Sequence, residues 1–194
     1  VKPTAPSSGS QRWLLAGSTL ALAWLWMMAL HELGHVLGAW LTGGTVTRVV
    51  LHPLALSRTD VSPNPHPMFV VWAGPIVGIA LPLLVWIIMQ SLRAPGWFIA
   101  RFIVGFCLIA NGAYLAIGSF EGIGDAGDML SLGSPQWLLI TFGVVAAPCG
   151  LWLWHGLGKR FGFGREACDV PLRTTIIVTG LVIATILVEI ALTR

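Results

Sequence analysis

The sequence predicts an all-α polytopic membrane protein, with about five transmembrane helices and a short extended or β-hairpin segment between the first and the second. Composition is the first reason. Of the 194 residues 56% are hydrophobic and only 10% are charged, and the mean hydropathy is +0.82, whereas soluble domains carry about a quarter charged residues. The second reason is that the hydrophobic residues form long uncharged runs, which as helices are long enough to cross a hydrocarbon layer of about 30 Å.

The hydrophobic runs define the order of the elements along the chain. Residues 1–12 form a Pro- and Ser-rich lead that we expect to be disordered. Residues 13–194 are expected to form a single membrane-embedded domain, because their length suits one helical bundle. The expected spans are residues 13–41, 68–89, 102–119, 136–154 and 174–188. The protein is therefore predicted to be a multi-pass integral membrane protein, although the sequence does not name the membrane or the oligomeric state.

The small formal charge of +3 is spread along the chain and does not form the basic cluster that is typical of nucleic-acid-binding proteins. Basic residues at the membrane edges explain it. The expected partner surface is the lipid bilayer.

The stretch between the first two spans differs in character from the rest. Residues 45–51 are rich in β-branched side chains, residues 54–61 alternate loosely between polar and apolar, and three prolines follow. This pattern predicts a short hairpin or a pair of extended segments that is too polar to cross lipid. The alternative is a disordered loop.

The first span contains the sequence HELGH. In a helix, residues four apart share a face, so His31 and His35 present their imidazoles together and Glu32 lies one position round. Two histidines at this spacing with an adjacent glutamate are typical of zinc hydrolases. The alternative is a pair of core histidines that hydrogen bonds satisfy. Three ionisable groups inside an apolar span need a common partner, and a divalent cation supplies one.

A third metal ligand is expected from the same side of the membrane as HELGH. The third span ends on that side and leads into GSFEGIGDAGDML, which brings Asp125 and Asp128 to the correct face. Flanking glycines let the backbone bend close to a site. Either aspartate could instead cap a helix or lie in a solvated turn.

At these residues the chain resembles the site-2 protease family of intramembrane zinc metalloproteases. The similarity lies in HELGH in an early span, in WAGPIVG at residues 72–78, which resembles the family's AGP segment, and in DAGDML, which resembles its Leu-Asp-Gly-Gly segment. It covers about two thirds of the chain and implies a catalytic core at residues 13–130.

The resemblance implies a role for each matching residue. His31 and His35 would be metal ligands and Glu32 the catalytic glutamate. Asp125 would be the third ligand, with Asp128 as an alternative ligand or a residue that orients one. Asn111 resembles the family's asparagine and would contact the oxyanion or the substrate. The implied cofactor is one Zn²⁺ per chain.

The predicted function is therefore that of a zinc-dependent endopeptidase that hydrolyses peptide bonds of membrane-protein or peptide substrates. The alternative is a catalytically silent membrane scaffold, or a transporter that uses the His, Glu and Asp cluster as a proton or metal pathway.

Overall fold

The computed structural model describes residues 9–54 and 56–192 and contains, within this part of the chain, six α-helices and one small sheet. In order the elements are α1 (Gly9–Leu41), β1 (Val46–Val50), β2 (Arg58–Val61), α2 (Pro67–Ser91), α3 (Trp97–Glu121), α4 (Gly124–Ser131), α5 (Gln136–Trp154), a 3₁₀ turn (Gly158–Phe161) and α6 (Leu172–Leu192). Five of these helices, all except the short α4, are long and apolar enough to cross a membrane. The predicted fold class and its five spans are confirmed.

The start of α1 differs from the sequence prediction. The helix begins at Gly9, so residues 9–12 are helical rather than part of a disordered lead; residues 1–8 lie outside the described part. Contacts to the segment before α6 explain the extra turn, since Gln11 donates a hydrogen bond to the Val170 carbonyl (2.8 Å) and Arg12 donates one to the Gly162 carbonyl (2.9 Å). These partners are about 150 residues away in sequence, beyond the reach of local patterns.

The polar stretch after α1 forms the expected hairpin. Strands β1 and β2 pair antiparallel, with Val49 opposite Thr59 and Val50 opposite Arg58. Strand β2 packs against α1. The predicted hairpin is therefore confirmed, and it lies beside the helix that carries HELGH.

Helix α1 lies at the centre of the bundle, with α2, α3 and α6 packed around it. Its contact with α2 depends on small residues: a Cβ at Gly34 would overlap the backbone of Ala73, and one at Gly38 would lie 2.8 Å from the Ala73 Cβ. Close backbone approach through residues of this kind is a common way to pack membrane helices. The contact holds HELGH directly against the AGP segment of α2.

On its other side, α1 contacts α6 through polar pairs. The Ser18 and Thr179 hydroxyls are 2.9 Å apart, and the Trp26 indole nitrogen donates to the Thr185 hydroxyl at 3.1 Å. Such hydrogen bonds between membrane helices are worth about 0.6 kcal/mol on average. They fix the rotation of α6 about its axis.

Helices α3 and α5 pack through a row of small residues. A Cβ at Gly143 would lie 2.5 Å from both the Gly112 carbonyl oxygen and the Ala116 Cβ. At one end of the same interface, the rings of Phe102 and Trp154 stack with their centroids 4.7 Å apart. The pair therefore forms a tight unit that fixes α3, the helix that contributes Asn111 to the site described below.

We expect Gly143→Ala to destabilise the bundle, because the new methyl group meets the Gly112 backbone, which cannot move aside as a flexible side chain could. Overpacking of this kind costs about 1–3 kcal/mol. Thermal unfolding in detergent should show a lower midpoint than wild type. The matched control is Gly180→Ala in α6, where nothing lies within 4 Å of the new Cβ; its midpoint should equal or exceed that of wild type, since alanine favours helix over glycine by about 1 kcal/mol. Equal midpoints for the two variants would contradict this account of the interface.

Candidate metal centre

The two histidines of HELGH lie on one face of α1 and are both buried. His31 and His35 are each 7% exposed, and their ring centroids are 4.8 Å apart. The i, i+4 spacing produces this arrangement directly, because residues one turn apart on a helix face the same neighbour.

The carboxylate that meets the histidines belongs to Asp125 in the first turn of α4. Its Oδ2 atom is 2.6 Å from His31 Nε2 and 3.3 Å from His35 Nε2. Among the described residues, the potential ligand atoms of His31, His35 and Asp125 all lie within 4.8 Å of one another, and Asp128 is not part of this group. Asp128 lines the same cleft one turn further along α4.

The far nitrogen of each imidazole is held by an oxygen atom. His31 Nδ1 is 2.7 Å from Asn111 Oδ1, and His35 Nδ1 is 2.9 Å from the Val70 carbonyl oxygen. Neither oxygen has a proton, so both Nδ1 atoms act as donors, and each ring directs its Nε2 atom toward Asp125. Metal-binding histidines usually have such a partner on the other nitrogen.

Asn111 in α3 is 1% exposed and uses both ends of its amide within the protein. Its Oδ1 accepts from His31, and its Nδ2 donates to the Cys107 carbonyl at 2.9 Å. The contacts of Asn111 are therefore those of a residue that orients a histidine. The predicted contact with an oxyanion or a substrate remains a prediction.

The three groups fit a zinc ion by their chemistry. Zinc takes imidazole nitrogen and carboxylate oxygen at about 2.0–2.2 Å in tetrahedral geometry, which places ligand atoms about 3.3–3.5 Å from one another. The His35 to Asp125 distance of 3.3 Å already has this value, and the 2.6 Å contact of Asp125 with His31 would need to lengthen. Two histidines and a carboxylate leave a fourth position for water, as in catalytic zinc sites.

Space for the two imidazoles depends on Gly74 in α2. A Cβ at this position would lie 2.5 Å from His35 Nε2 and 3.0 Å from His31 Nε2. This contact explains the glycine of the AGP segment: any larger residue at Gly74 would occupy the volume that the two imidazoles fill. The sequence alone showed that this segment resembles a family motif, but it did not show that Gly74 contacts His31 and His35.

Burial and hydrogen bonding act in opposite directions on Asp125. Desolvation by burial would raise the pKa of its carboxyl, but the hydrogen bonds with His31 and His35 outweigh it, and the pKa lies well below its ordinary value. The group is therefore ionised, which is the state that binds a cation.

Glu32 lies next to His31 in α1 and is 3% exposed. It is one position round α1 from the histidines and is not part of the ligand group. Its Oε2 atom accepts a hydrogen bond of 2.7 Å from the Thr59 hydroxyl of β2. The hairpin therefore contacts the predicted catalytic glutamate. Sequence reasoning did not find Thr59, because a contact between a strand and a helix 27 residues away has no local signature.

Tyr114 in α3 is a second residue that sequence reasoning missed. Its hydroxyl oxygen accepts a hydrogen bond of 3.1 Å from the backbone N–H of Asp125, and its ring lies edge-on to His31 with centroids 6.0 Å apart. Gly124, next to the aspartate, has φ +56° and no room for a Cβ beside the tyrosine oxygen. Tyr114 therefore helps to hold the first turn of α4 at the histidines.

These groups line one cleft of about 1100 Å³. Its walls come from α1, α2, α3 and α4, and β2 runs along its rim with Arg58, Thr59 and Asp60. Towards the middle of α1 the cleft continues past Met28, Met27 and Trp24. It therefore combines a polar end at the histidines with a long apolar wall.

The other candidate residues on this side of the chain do not join the ligand group. Within the described residues, His52, His66 and Glu121 are not part of it, and His155 ends α5 in a different region.

We expect Gly74→Ala to weaken zinc binding while the bundle stays folded. The new methyl group meets the ends of the two imidazole side chains, which can turn away more easily than a backbone can. A loss of at least about tenfold in zinc affinity should follow, as for other changes around metal ligands.

Zinc titration of purified protein measures this effect. The matched control is Gly78→Ala, one helical turn further along α2, where the added Cβ would have ordinary contacts of 3.4 Å with His31 Cα and 3.5 Å with Asn111 Nδ2. Its zinc affinity should equal that of wild type. An unchanged affinity in Gly74→Ala would mean that this glycine does not provide space for the ligands.

Comparison with known protein families supplies the identity. Residues 12–120 match the model of the family described as Peptidase M50B-like. Comparisons with curated proteins and with solved structures give no match. The matched range covers more than half of the chain; it includes HELGH and the AGP segment and ends before Asp125. The chain therefore belongs to the Peptidase M50B-like family of integral membrane metalloproteases, in agreement with its resemblance to the site-2 proteases.

Proposed function

We propose that the protein is a zinc-dependent intramembrane endopeptidase and that His31, His35 and Asp125 bind one Zn²⁺ per chain. The observation that carries the proposal is the meeting of these three side chains with Glu32 and an open cleft, inside a bundle of apolar helices. A bound zinc ion would polarise the scissile carbonyl and lower the pKa of a water molecule.

Glu32 is proposed as the general base. It would take a proton from water as the water oxygen bonds to the carbonyl carbon, and would deliver that proton to the amide nitrogen as the carbon–nitrogen bond breaks. Its Oε2 atom accepts a hydrogen bond from Thr59 and Glu32 is not part of the ligand group, which supports a role in proton transfer rather than in metal binding.

The proposed substrates are membrane proteins or membrane-associated peptides. A transmembrane helix must unwind locally before hydrolysis, because its carbonyls are already hydrogen-bonded. Residues of β2 line the rim of the cleft, and an exposed strand edge can pair with an extended peptide. The apolar wall formed by Trp24, Met27 and Met28 suits the part of the substrate that remains in the membrane.

We expect Glu32→Gln to abolish proteolysis while zinc stays bound, because glutamine keeps the shape of the side chain but cannot accept the proton. A suitable probe is a quenched fluorescent peptide that has one apolar span with a central Gly-Pro break, reconstituted with the protein in liposomes. The same preparations are analysed for zinc content. Loss of zinc with retained cleavage would overturn the assignment of Glu32. Absence of cleavage by the zinc-loaded wild-type protein across a panel of such peptides would favour a scaffold or a transporter.

The two aspartates are expected to differ in their effect on zinc. Asp125→Ala removes a carboxylate that lies 3.3 Å or less from both histidines, so it should lose zinc at micromolar free concentration. Asp128→Ala is the matched control in the same helix and should retain zinc, with at most the ten- to hundredfold loss typical of residues outside the ligand group. The reverse order in zinc titrations would move the third ligand to Asp128.

A further inference from the structure

We infer that Tyr114 is a catalytic residue of this site, and that its hydroxyl group donates a hydrogen bond to the substrate carbonyl oxygen as that oxygen takes up negative charge. The inference rests on the proposed function. It assigns to Tyr114 a task that the sequence resemblance would give to Asn111.

The need for such a donor follows from the reaction. When water adds to the scissile carbonyl, its oxygen becomes an oxyanion, and preorganised donors at that position are among the largest contributions to catalysis of acyl transfer. Asn111 is less suited to the task, since its oxygen accepts from His31, one of its two amide protons goes to the Cys107 carbonyl and the residue is only 1% exposed. A more exposed donor in the same cleft is therefore the better candidate.

Tyr114 has the right atoms for this role. In its hydrogen bond with Asp125 the tyrosine oxygen is the acceptor, so the bond leaves the O–H proton available. A phenol can donate one hydrogen bond while it accepts another. The N–H of Asp125 thus fixes the position of the oxygen without consuming its donor capacity.

The position of Tyr114 also fits. The side chain lines the cleft, its ring is 6.0 Å from the ring of His31, and its hydroxyl is bonded to the backbone of Asp125, the residue whose carboxylate meets both histidines. The hydroxyl of this α3 residue is therefore hydrogen-bonded to the backbone of Asp125, one of the three residues of the ligand group. Tyr114 is 41% exposed, so a substrate in the cleft can reach it.

The test compares wild type with Tyr114→Phe, which removes only the hydroxyl. In the liposome assay with the quenched single-span peptide, we expect kcat to fall by about 10²–10³-fold, the loss seen when one oxyanion donor is removed. KM and zinc content should stay unchanged. Phe120→Leu, a change of an exposed aromatic residue on the same helix, is the control and should leave kcat unaltered.

A second readout does not depend on turnover. A phosphinic peptide of the same sequence mimics the tetrahedral state, and its affinity should fall in Tyr114→Phe by a factor similar to the loss in kcat. The unmodified peptide should bind Glu32→Gln equally well with or without the tyrosine hydroxyl. The chain contains a single tyrosine, so protein labelled with ¹³C-tyrosine gives one Cζ resonance, and the phosphinic peptide should shift it.

Two results would overturn the inference. Equal phosphinic-peptide affinity in wild type and Tyr114→Phe would show that the hydroxyl makes no contact with the tetrahedral state, whether or not the wild-type protein turns over substrate. Loss of zinc in Tyr114→Phe would show that the hydroxyl positions Asp125, and the fall in kcat would then be explained without any contact between the hydroxyl and the oxyanion. Failure of the proposed function is recognised separately, by a zinc-loaded wild-type protein that cleaves none of the peptides.

Discussion

The rest of the structure depends on one constraint: three ionisable side chains of α1 lie inside an apolar bundle and each must have a polar partner there. His31, Glu32 and His35 are all less than 10% exposed, and a buried ionisable group without a partner costs several kcal/mol. Four neighbouring elements each supply one partner, namely Asn111 from α3, the Val70 carbonyl from α2, the Thr59 hydroxyl from β2 and the Asp125 carboxylate from α4. The requirement therefore orients the helices and the hairpin together.

These partners can reach α1 only because the backbones approach closely. Gly34 and Gly38 of α1 face Ala73 of α2, and Gly74 leaves room for the imidazoles. In lipid, helices gain little from hydrophobic association, so close packing and interhelical hydrogen bonds hold them together. The same small residues therefore serve packing and the site. This explains why HELGH and the AGP segment occur in adjacent helices: one supplies the side chains and the other supplies the space between them.

Local patterns in the sequence were sufficient for much of this architecture. Long uncharged runs predict the five spans, β-branched residues predict the hairpin, and the i, i+4 spacing of His31 and His35 predicts their shared face. Contacts between distant residues were not predictable in this way. The hydrogen bonds of Gln11 and Arg12 extend α1 to Gly9, Thr59 meets a glutamate on another element, and Tyr114 is indistinguishable from an ordinary core aromatic until α4 packs against it. Asn111 was expected from resemblance alone, and only the three-dimensional structure provides its contacts.

The separation of the ligand group along the chain has a consequence for biogenesis. His31 and Asp125 are 94 residues apart, and proteins are synthesised from the N-terminus, so α1 enters the membrane well before α4 exists. Two histidines alone hold a metal weakly, and a binding site that forms only on folding couples metal affinity to assembly. In the proposed zinc protease, the order of translation would therefore leave the metal site without its third ligand until α4 has docked beside the histidines.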